Sequence, residues 1–133
     1  MVVGCGREEA RITFGERYFV DVIGVGCCVD VEARGLTAHR HGIEFLHGEP
    51  ERLADFVGGL AADFRGWPGE RVWNGAHLRL KASIHAGGHV ALGWTLPPDG
   101  GWEASVTTWL EAGEQLSGLA ADLREFLRSP HRR

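Results

Sequence analysis

Two pairs of histidines have spacings that could bring imidazoles together around a metal ion. His39 and His41 are two residues apart, so in an extended segment their side chains lie on the same face. His85 and His89 enclose a three-residue loop, and the alternation around it places them opposite each other, with Cβ atoms about 4.5–5.5 Å apart. A metal site needs a third or fourth ligand, which the sequence does not place. Solvated polar residues at a hairpin end are therefore the simpler interpretation of His85 and His89.

The tryptophans are candidates either for core packing or for binding a partner. Trp94 shares the inward face of a predicted strand and is expected in the core. On an uncovered sheet face a tryptophan could anchor a protein partner, because this residue often dominates binding energy. Loops or a second subunit could equally cover it. The four candidates for partner binding are Trp67, Trp73, Trp102 and Trp109.

The sequence contains no recognisable catalytic set. Ser83 and the other serines lie in no nucleophile-elbow context. The glycine pair Gly24 and Gly26 lacks the third glycine and the following helix of a nucleotide-binding loop, and it predicts a bend or bulge in a strand. Glu111 and Glu114 flank the start of a predicted helix, where carboxylates favourably meet the helix dipole. We therefore expect no enzymatic activity and no cofactor.

Length, composition and charge indicate one globular domain over residues 1–133, with residues 1–9 and 129–133 frayed. Of the 133 residues, 44% are hydrophobic and 24% are charged, which is ordinary for a single folded domain. The formal net charge is -4 and no Lys/Arg stripe is present, so no nucleic-acid partner is expected. No apolar run reaches the length of a membrane span, and no secretory signal pattern is seen. Together with three cysteines, an odd number, these features predict free thiols in a reducing cytoplasm.

The predicted elements follow the order strands, helix, strands, helix. Strands are predicted at residues 11–14, 17–23, 27–34 and 36–46, and a second set at 78–85, 90–96 and 102–110. Two amphipathic helices are predicted, one from Pro50 and one after Gly113, with Phe56, Leu60, Leu119 and Leu123 buried. Short turns between strands favour antiparallel pairing. We expect an α+β fold: a single mainly antiparallel sheet with the two helices packed on one face.

Three segments of the chain resemble a known family. They are FRGWPG at residues 64–69, GGHVALGWTL at residues 87–96 and WEASVTTWLEAGEQL at residues 102–116. They resemble a family of small actinobacterial proteins of unknown function, over roughly residues 53–127, which implies a bacterial cytoplasmic protein but no particular activity. The order of helix, Gly-Trp motif, glycine hairpin, strand and final helix is also similar, in architecture only, to WapI-like immunity proteins of polymorphic toxin systems.

Two functional hypotheses follow from the sequence. The first is a non-enzymatic protein-binding module of immunity or regulatory type, which acts on a protein partner such as a toxin or by self-association. The missing catalytic set, the acidic charge and the surplus of aromatic residues favour it. The alternative is a metal- or small-ligand-binding protein, or an enzyme, built around His39, His41, His85 and His89. A flat aromatic sheet face would favour the first hypothesis, and a deep polar pocket the alternative.

Overall fold

The computed structural model describes residues 1–4, 10–21, 24–46 and 48–128, and these form eight strands and two α-helices. The strands are β1 (Val2–Val3), β2 (Arg11–Val20), β3 (Gly24–Ala33), β4 (Leu36–Phe45), β5 (Glu70–Asn74), β6 (Arg79–His85), β7 (His89–Asp99) and β8 (Trp102–Glu111). Helix α1 (Glu49–Ala62) follows β4, and helix α2 (Glu114–Phe126) follows β8.

The strands form two four-stranded antiparallel sheets. The first sheet has the order β1-β2-β3-β4 and the second the order β5-β6-β7-β8. The α+β class and the antiparallel pairing are thereby confirmed, but the prediction of a single sheet with two helices on one face is wrong. Alternation predicts which side chains are buried and not which strands pair. Helix α1 separates β4 from β5, so the first meander is complete before the second begins.

The hydrophobic core lies where the inner faces of the two sheets meet the helices. Phe14 of the first sheet contacts Trp94 of the second edge-to-face, with ring centroids 5.8 Å apart, and it contacts Phe126 of α2 in the same way. The indole N–H of Trp94 donates to the hydroxyl of Thr108 at 2.9 Å, so this buried polar group has a partner. The core position expected for Trp94 is thus observed.

The two helices pack against each other and bury one stripe each. Of the four helix residues predicted to be buried, Leu60, Leu119 and Leu123 are buried and Phe56 is partly buried. This arrangement follows from the i, i+3, i+4 spacing of apolar residues, which places them on one side of each helix.

Part of the amino-terminal range 1–9, which was expected to fray, is paired with strand β2. Val2 and Val3 pair with Thr13 and Ile12 of β2, and the terminal ammonium donates to the carbonyl of Phe14 at 2.8 Å. Residues 5–9 and 129–133, which make up the rest of the ends expected to fray, lie outside the described residues. The last two residues of the strand predicted at 17–23 lie outside them as well.

Arg40 connects the first sheet to the end of the second. Its guanidinium donates to the carbonyls of Pro97, Asp99 and Trp102, the last at 3.0 Å, and lies over the Trp102 indole at 4.0 Å from the ring centroid. The delocalised, planar charge of arginine suits this combination of several acceptors and one aromatic face. One side chain therefore fixes β4 against the turn between β7 and β8.

Candidate functional site

A β-bulge in β4 brings both predicted histidines next to a cysteine on the outer face of the first sheet. β4 advances from residue 40 to residue 43 where β3 steps only from 29 to 27. Gly42 absorbs the extra residue with φ +71°, a left-handed conformation that glycine adopts without steric cost. The bulge reverses the alternation, so His39 and His41 face outward beside Cys28 while Ile43 faces the core.

Cys28, His39 and His41 form a compact group of donor atoms, here called the Cys-His cluster. One ligand atom from each residue lies within 4.8 Å of the others. Sγ of Cys28 is 3.0 Å from Nδ1 of His41, and Nε2 of His41 is 3.1 Å from Nε2 of His39. In a tetrahedral zinc site, bond lengths of about 2.0–2.1 Å to nitrogen and 2.3 Å to sulfur separate neighbouring donors by about 3.3–3.6 Å. The two short contacts use different nitrogens of His41, so its ring must turn to present one nitrogen to an ion held by Cys28 and His39 as well.

Two carboxylates flank the Cys-His cluster. Oδ1 of Asp30 lies 2.5 Å from Nδ1 of His39, and Oε1 of Glu16 lies 3.5 Å from Sγ of Cys28. Because an ionised carboxylate only accepts hydrogen bonds, Nδ1 of His39 donates to Asp30, which leaves the lone pair of a neutral ring on Nε2. The lone pair of His39 therefore faces the rest of the cluster.

The Cys28 thiol is protonated rather than activated in the metal-free protein. Cys28 is only 6% exposed, and burial, the hydrogen bond from its S–H to Glu16, and the negative charges of Glu16 and Asp30 raise its pKa. A cysteine nucleophile needs the opposite, a lowered pKa next to positive charge. The Cys28–His41 contact thus does not have the electrostatics of a catalytic cysteine–histidine pair. A bound cation would favour the thiolate form of Cys28 instead, since a metal ion deprotonates a thiol that coordinates it.

The second histidine pair is opposed, as the alternation predicts, but each ring has its own partner. His85 and His89 are directly paired in the register of β6 and β7. Nε2 of His85 is 3.0 Å from the hydroxyl of Ser83, and its ring contacts Trp109. Nδ1 of His89 faces a carboxylate oxygen of Glu111 at 3.5 Å. Within the described part of the chain, neither histidine belongs to a group of three or more candidate metal ligands.

The four candidate tryptophans differ widely in exposure. Trp67 is buried, at 7% exposed, and its indole N–H donates to the carbonyl of Ala82, while Trp73 is partly buried against the core. Trp102 is 38% exposed beneath Arg40, and Trp109 is 55% exposed on the outer face of the second sheet. The structure therefore leaves Trp109, and in part Trp102, accessible to a partner.

The groove between the two helices offers no comparable chemistry. It has a volume of about 520 Å³ and is lined in part by Asp55, Arg124, Glu125 and Arg128. Arg124 pairs with Asp55 at 3.0 Å, and Arg128 pairs with Glu125 at 3.2 Å. Ion pairs of this exposed kind are ordinary features of a protein surface.

Cys28, Asp30 and Glu16 are the site residues that sequence reasoning missed. The alternation in β3 already placed Cys28 and Asp30 on the outward face, and a hairpin between β3 and β4 would have brought His39 opposite Asp30. Counting residues outward from the turn of that hairpin would have predicted the pairing of His39 with Asp30. The position of Glu16 depends on a bulge in β2, which lies where the sequence predicts a break at residues 15–16 between two strands.

The chain belongs to a family of unknown function (DUF6228), whose model matches residues 4–130. This confirms the resemblance to a family of unknown function. No curated protein and no solved structure matches the chain. Within the described residues, no helix is long and apolar enough to cross a membrane.

Proposed function

We propose that this protein binds a transition-metal ion on the outer face of its first sheet, through Cys28, His39 and His41. The observation that carries the proposal is the contact of 2.5 Å between His39 and Asp30 beside two further donors. Metal-ligating histidines almost always donate their second N–H to a carboxylate, a carbonyl or a water, and this fixes the ring so that the free nitrogen faces the ion. Here the free nitrogen faces His41 and, through it, Cys28.

The donor atoms restrict which ions fit. One thiolate sulfur and two imidazole nitrogens suit zinc, cobalt, nickel and copper, whereas magnesium and calcium take oxygen ligands. Zinc accepts a mixed Cys/His set in tetrahedral geometry. The ion is therefore expected to be a borderline divalent transition metal such as zinc.

Cobalt titration tests the proposal, because a thiolate ligand gives Co²⁺ a charge-transfer band in the near ultraviolet. We expect chelator-treated protein to bind one Co²⁺ per chain with this band, and added Zn²⁺ to displace it. The Cys28→Ser variant should lose the band. The Cys27→Ala variant is the matched control, because Cys27 is the neighbouring residue but lies in the core. All variants carry Cys5→Ser, which removes the third thiol. Absence of the band in the parent protein would overturn the proposal.

We propose protein binding as a second function, of the immunity or regulatory type in a bacterial cytoplasm, as the actinobacterial and WapI-like resemblances imply. The supporting observation is the exposure of Trp109, which lies opposite the small residue Ala91 on the outer face of the second sheet. An accessible tryptophan on a sheet face has the character of an interface anchor. The net charge of -4 suits a basic partner such as a nuclease toxin.

Co-purification with the product of the adjacent gene tests this second function. We expect Trp109→Ala to weaken that complex at least about tenfold, as truncation of a binding hot spot does. Phe64→Ala is the control, because Phe64 is equally exposed, at 56%, but lies in the segment after α1. Equal effects of the two changes, or no complex, would remove the support for protein binding.

A further inference from the structure

We infer that Glu16 is the fourth ligand of the metal, so that the Cys-His cluster with Glu16 forms a closed four-coordinate site. The inference rests on the proposed metal binding and extends it to the coordination number. Cys28, His39 and His41 provide three donors, one fewer than a structural zinc site uses. The Glu16 carboxylate lies 3.5 Å from Sγ of Cys28. A zinc-bound carboxylate oxygen and thiolate sulfur are about 3.6 Å apart in a tetrahedron with bonds of about 2.1 and 2.3 Å.

The backbone of β2 brings the Glu16 side chain beside Cys28, although its carboxylate lies outside the set of donors that are within 4.8 Å of one another, so this exposed side chain must turn towards the histidines to bind the same ion. β2 advances from residue 15 to residue 18 where β3 steps from 28 to 26, so a second bulge lies beside Cys28. Within it, Glu16 has φ +52°, a left-handed conformation that non-glycine residues seldom adopt. Such backbone strain is concentrated at functional sites, where a side chain must be held in a special position. Gly15, directly opposite Cys28, has no side chain that could cover the thiol.

The other nearby carboxylates already have partners. Asp30 accepts the hydrogen bond from Nδ1 of His39, and Glu44 accepts one from the hydroxyl of Tyr18 at 3.3 Å. The carboxylate of Glu16 contacts the thiol of Cys28 at 3.5 Å. Of these three carboxylates, Glu16 is therefore the one that contacts a proposed donor atom itself, Sγ of Cys28, whereas Asp30 contacts the ring nitrogen of His39 that does not face the cluster.

The two arginines of β2 have partners elsewhere. Arg17 donates to the carbonyls of Glu125 and Phe126, and Arg11 pairs with Glu32. A divalent ion bound between Glu16 and Cys28 would replace the thiol proton, and its charge would balance one thiolate and one carboxylate.

A closed site of this kind holds its metal rather than activating a substrate. Catalytic zinc sites have three protein ligands and leave the fourth position to water, whereas structural sites have four. With Glu16 bound, the ion would be coordinated by two nitrogens, one sulfur and one oxygen, with Asp30 supporting His39 from outside. The outer face of the first sheet would therefore hold a metal ion in a structural or storage role.

Two substitutions of Glu16 separate coordination from folding. Glu16→Gln keeps the size of the side chain and removes its charge. Glu16→Gly removes the ligand and also the backbone strain, because glycine adopts φ +52° freely, so the metal-free fold should be at least as stable as the parent. Glu32→Gln is the matched control, because Glu32 lies on the outer face of β3 but pairs with Arg11.

We expect both Glu16 variants to keep the thiolate-to-cobalt band while their zinc affinity falls at least about 10–100-fold, the loss that even supporting residues of a metal site produce. Their visible Co²⁺ bands should change in energy and intensity, as one oxygen ligand is exchanged for water. Glu32→Gln should behave like the parent. Unchanged zinc affinity and unchanged Co²⁺ spectra in both variants would overturn the role of Glu16 while the proposed metal binding stands. A parent protein without the thiolate band would overturn both.

Discussion

The Nδ1 atom of His39 lies 2.5 Å from the carboxylate of Asp30, the residue directly opposite it on β3. The contact is a cross-strand pair on the outer face of an antiparallel ladder, where directly opposed side chains are close enough to interact. It determines which nitrogen of His39 carries a proton and which is free to bind an ion. Asp30 thus supports the proposed ligand without being one.

Removing the Asp30 carboxylate should weaken metal binding without removing a ligand. We expect Asp30→Ala to lower zinc affinity by about 10–100-fold, the usual effect of losing the partner of a ligating histidine. Nitrogen chemical shifts of His39 in the metal-free protein should show more of the tautomer protonated at Nε2. Thr13→Val is the control, because Thr13 pairs with Asp30 from the opposite side. Equal zinc affinity in the parent and Asp30→Ala would contradict the supporting role.

The fold could be predicted at the level of elements but not of sheets. The periods of apolar residues gave both helices and the strands, because a helix and a strand repeat at about 3.6 and 2.0 residues. The short strands β1 and β5 were missed: two to five residues are too few to show a period. The division into two sheets depends on contacts between distant residues, such as Phe14 with Trp94, which no local pattern contains.

The candidate site could be predicted only in part, and the reason is the two bulges. The spacing of His39 and His41 gave a shared face correctly, because Gly42, the residue with the left-handed conformation in the bulge, follows both of them. The bend or bulge expected at Gly24 and Gly26 is instead part of the continuous strand β3, and the bulges are in the neighbouring strands β2 and β4. A Cβ atom on Gly26 would lie 2.4 Å from the ring of Tyr18, so this glycine serves a close approach between strands.

Truncating the buried leucines of either helix should destabilise the protein strongly. Leu60 of α1 is 1% exposed and Leu123 of α2 is fully buried, so Leu60→Ala and Leu123→Ala would each leave a cavity. We expect a loss of about 2–5 kcal/mol in the free energy of unfolding, measured by urea denaturation. Phe64→Ala, an exposed control, should cost far less. A loss below about 1 kcal/mol at both leucines would show that these side chains do not form the core.

The contact of Arg40 with the second sheet should require arginine and not merely a positive charge. A lysine keeps the charge but cannot reach the carbonyls of Asp99 and Trp102 while also lying over the indole. We expect Arg40→Lys to lower the free energy of unfolding by about 1.5–3 kcal/mol, the range for hydrogen bonds to charged groups. Arg11→Lys, at an exposed ion pair with Glu32, should cost less than about 1 kcal/mol. Similar costs for the two changes would contradict a special role for Arg40.

The buried thiol of Cys27 should make the protein less stable in alkali. Burial, with a smaller contribution from Cys28, raises the pKa of Cys27 to about 12. Below the unfolded pKa of about 8.5 both states keep the proton and there is no effect, whereas above it only the unfolded chain loses the proton. Stability should therefore fall by roughly 1.4 kcal/mol per pH unit between about pH 9 and 12.

Comparison with Cys27→Ala isolates this slope from other alkaline effects. Urea denaturation with a chelator and a reducing agent, repeated from pH 8 to pH 10.5, should show the stability advantage of the parent shrinking as the pH rises. The variant retains every other titrating group, so their contributions cancel in the difference. Parallel curves for the two proteins would contradict a raised pKa at Cys27.

Zinc should stabilise the protein through one histidine pair and not through the other. An ion that binds only the folded state stabilises it by about 2.7 kcal/mol at a hundredfold excess over its dissociation constant. We expect added Zn²⁺ to raise the melting temperature of the parent and a chelator to reverse the rise. The double variant His39→Ala/His41→Ala should show no such rise.

The double variant His85→Ala/His89→Ala should keep the full zinc-dependent rise. The two rings are opposed in the register of the hairpin, but His85 contacts Ser83 and Trp109, and His89 faces Glu111. Opposed positions alone do not make a site, because the ion also needs a third donor within reach. Each double variant removes two exposed imidazoles, so the two serve as controls for each other. A rise that vanishes with His85 and His89 and survives the loss of His39 and His41 would move the metal site to the second sheet.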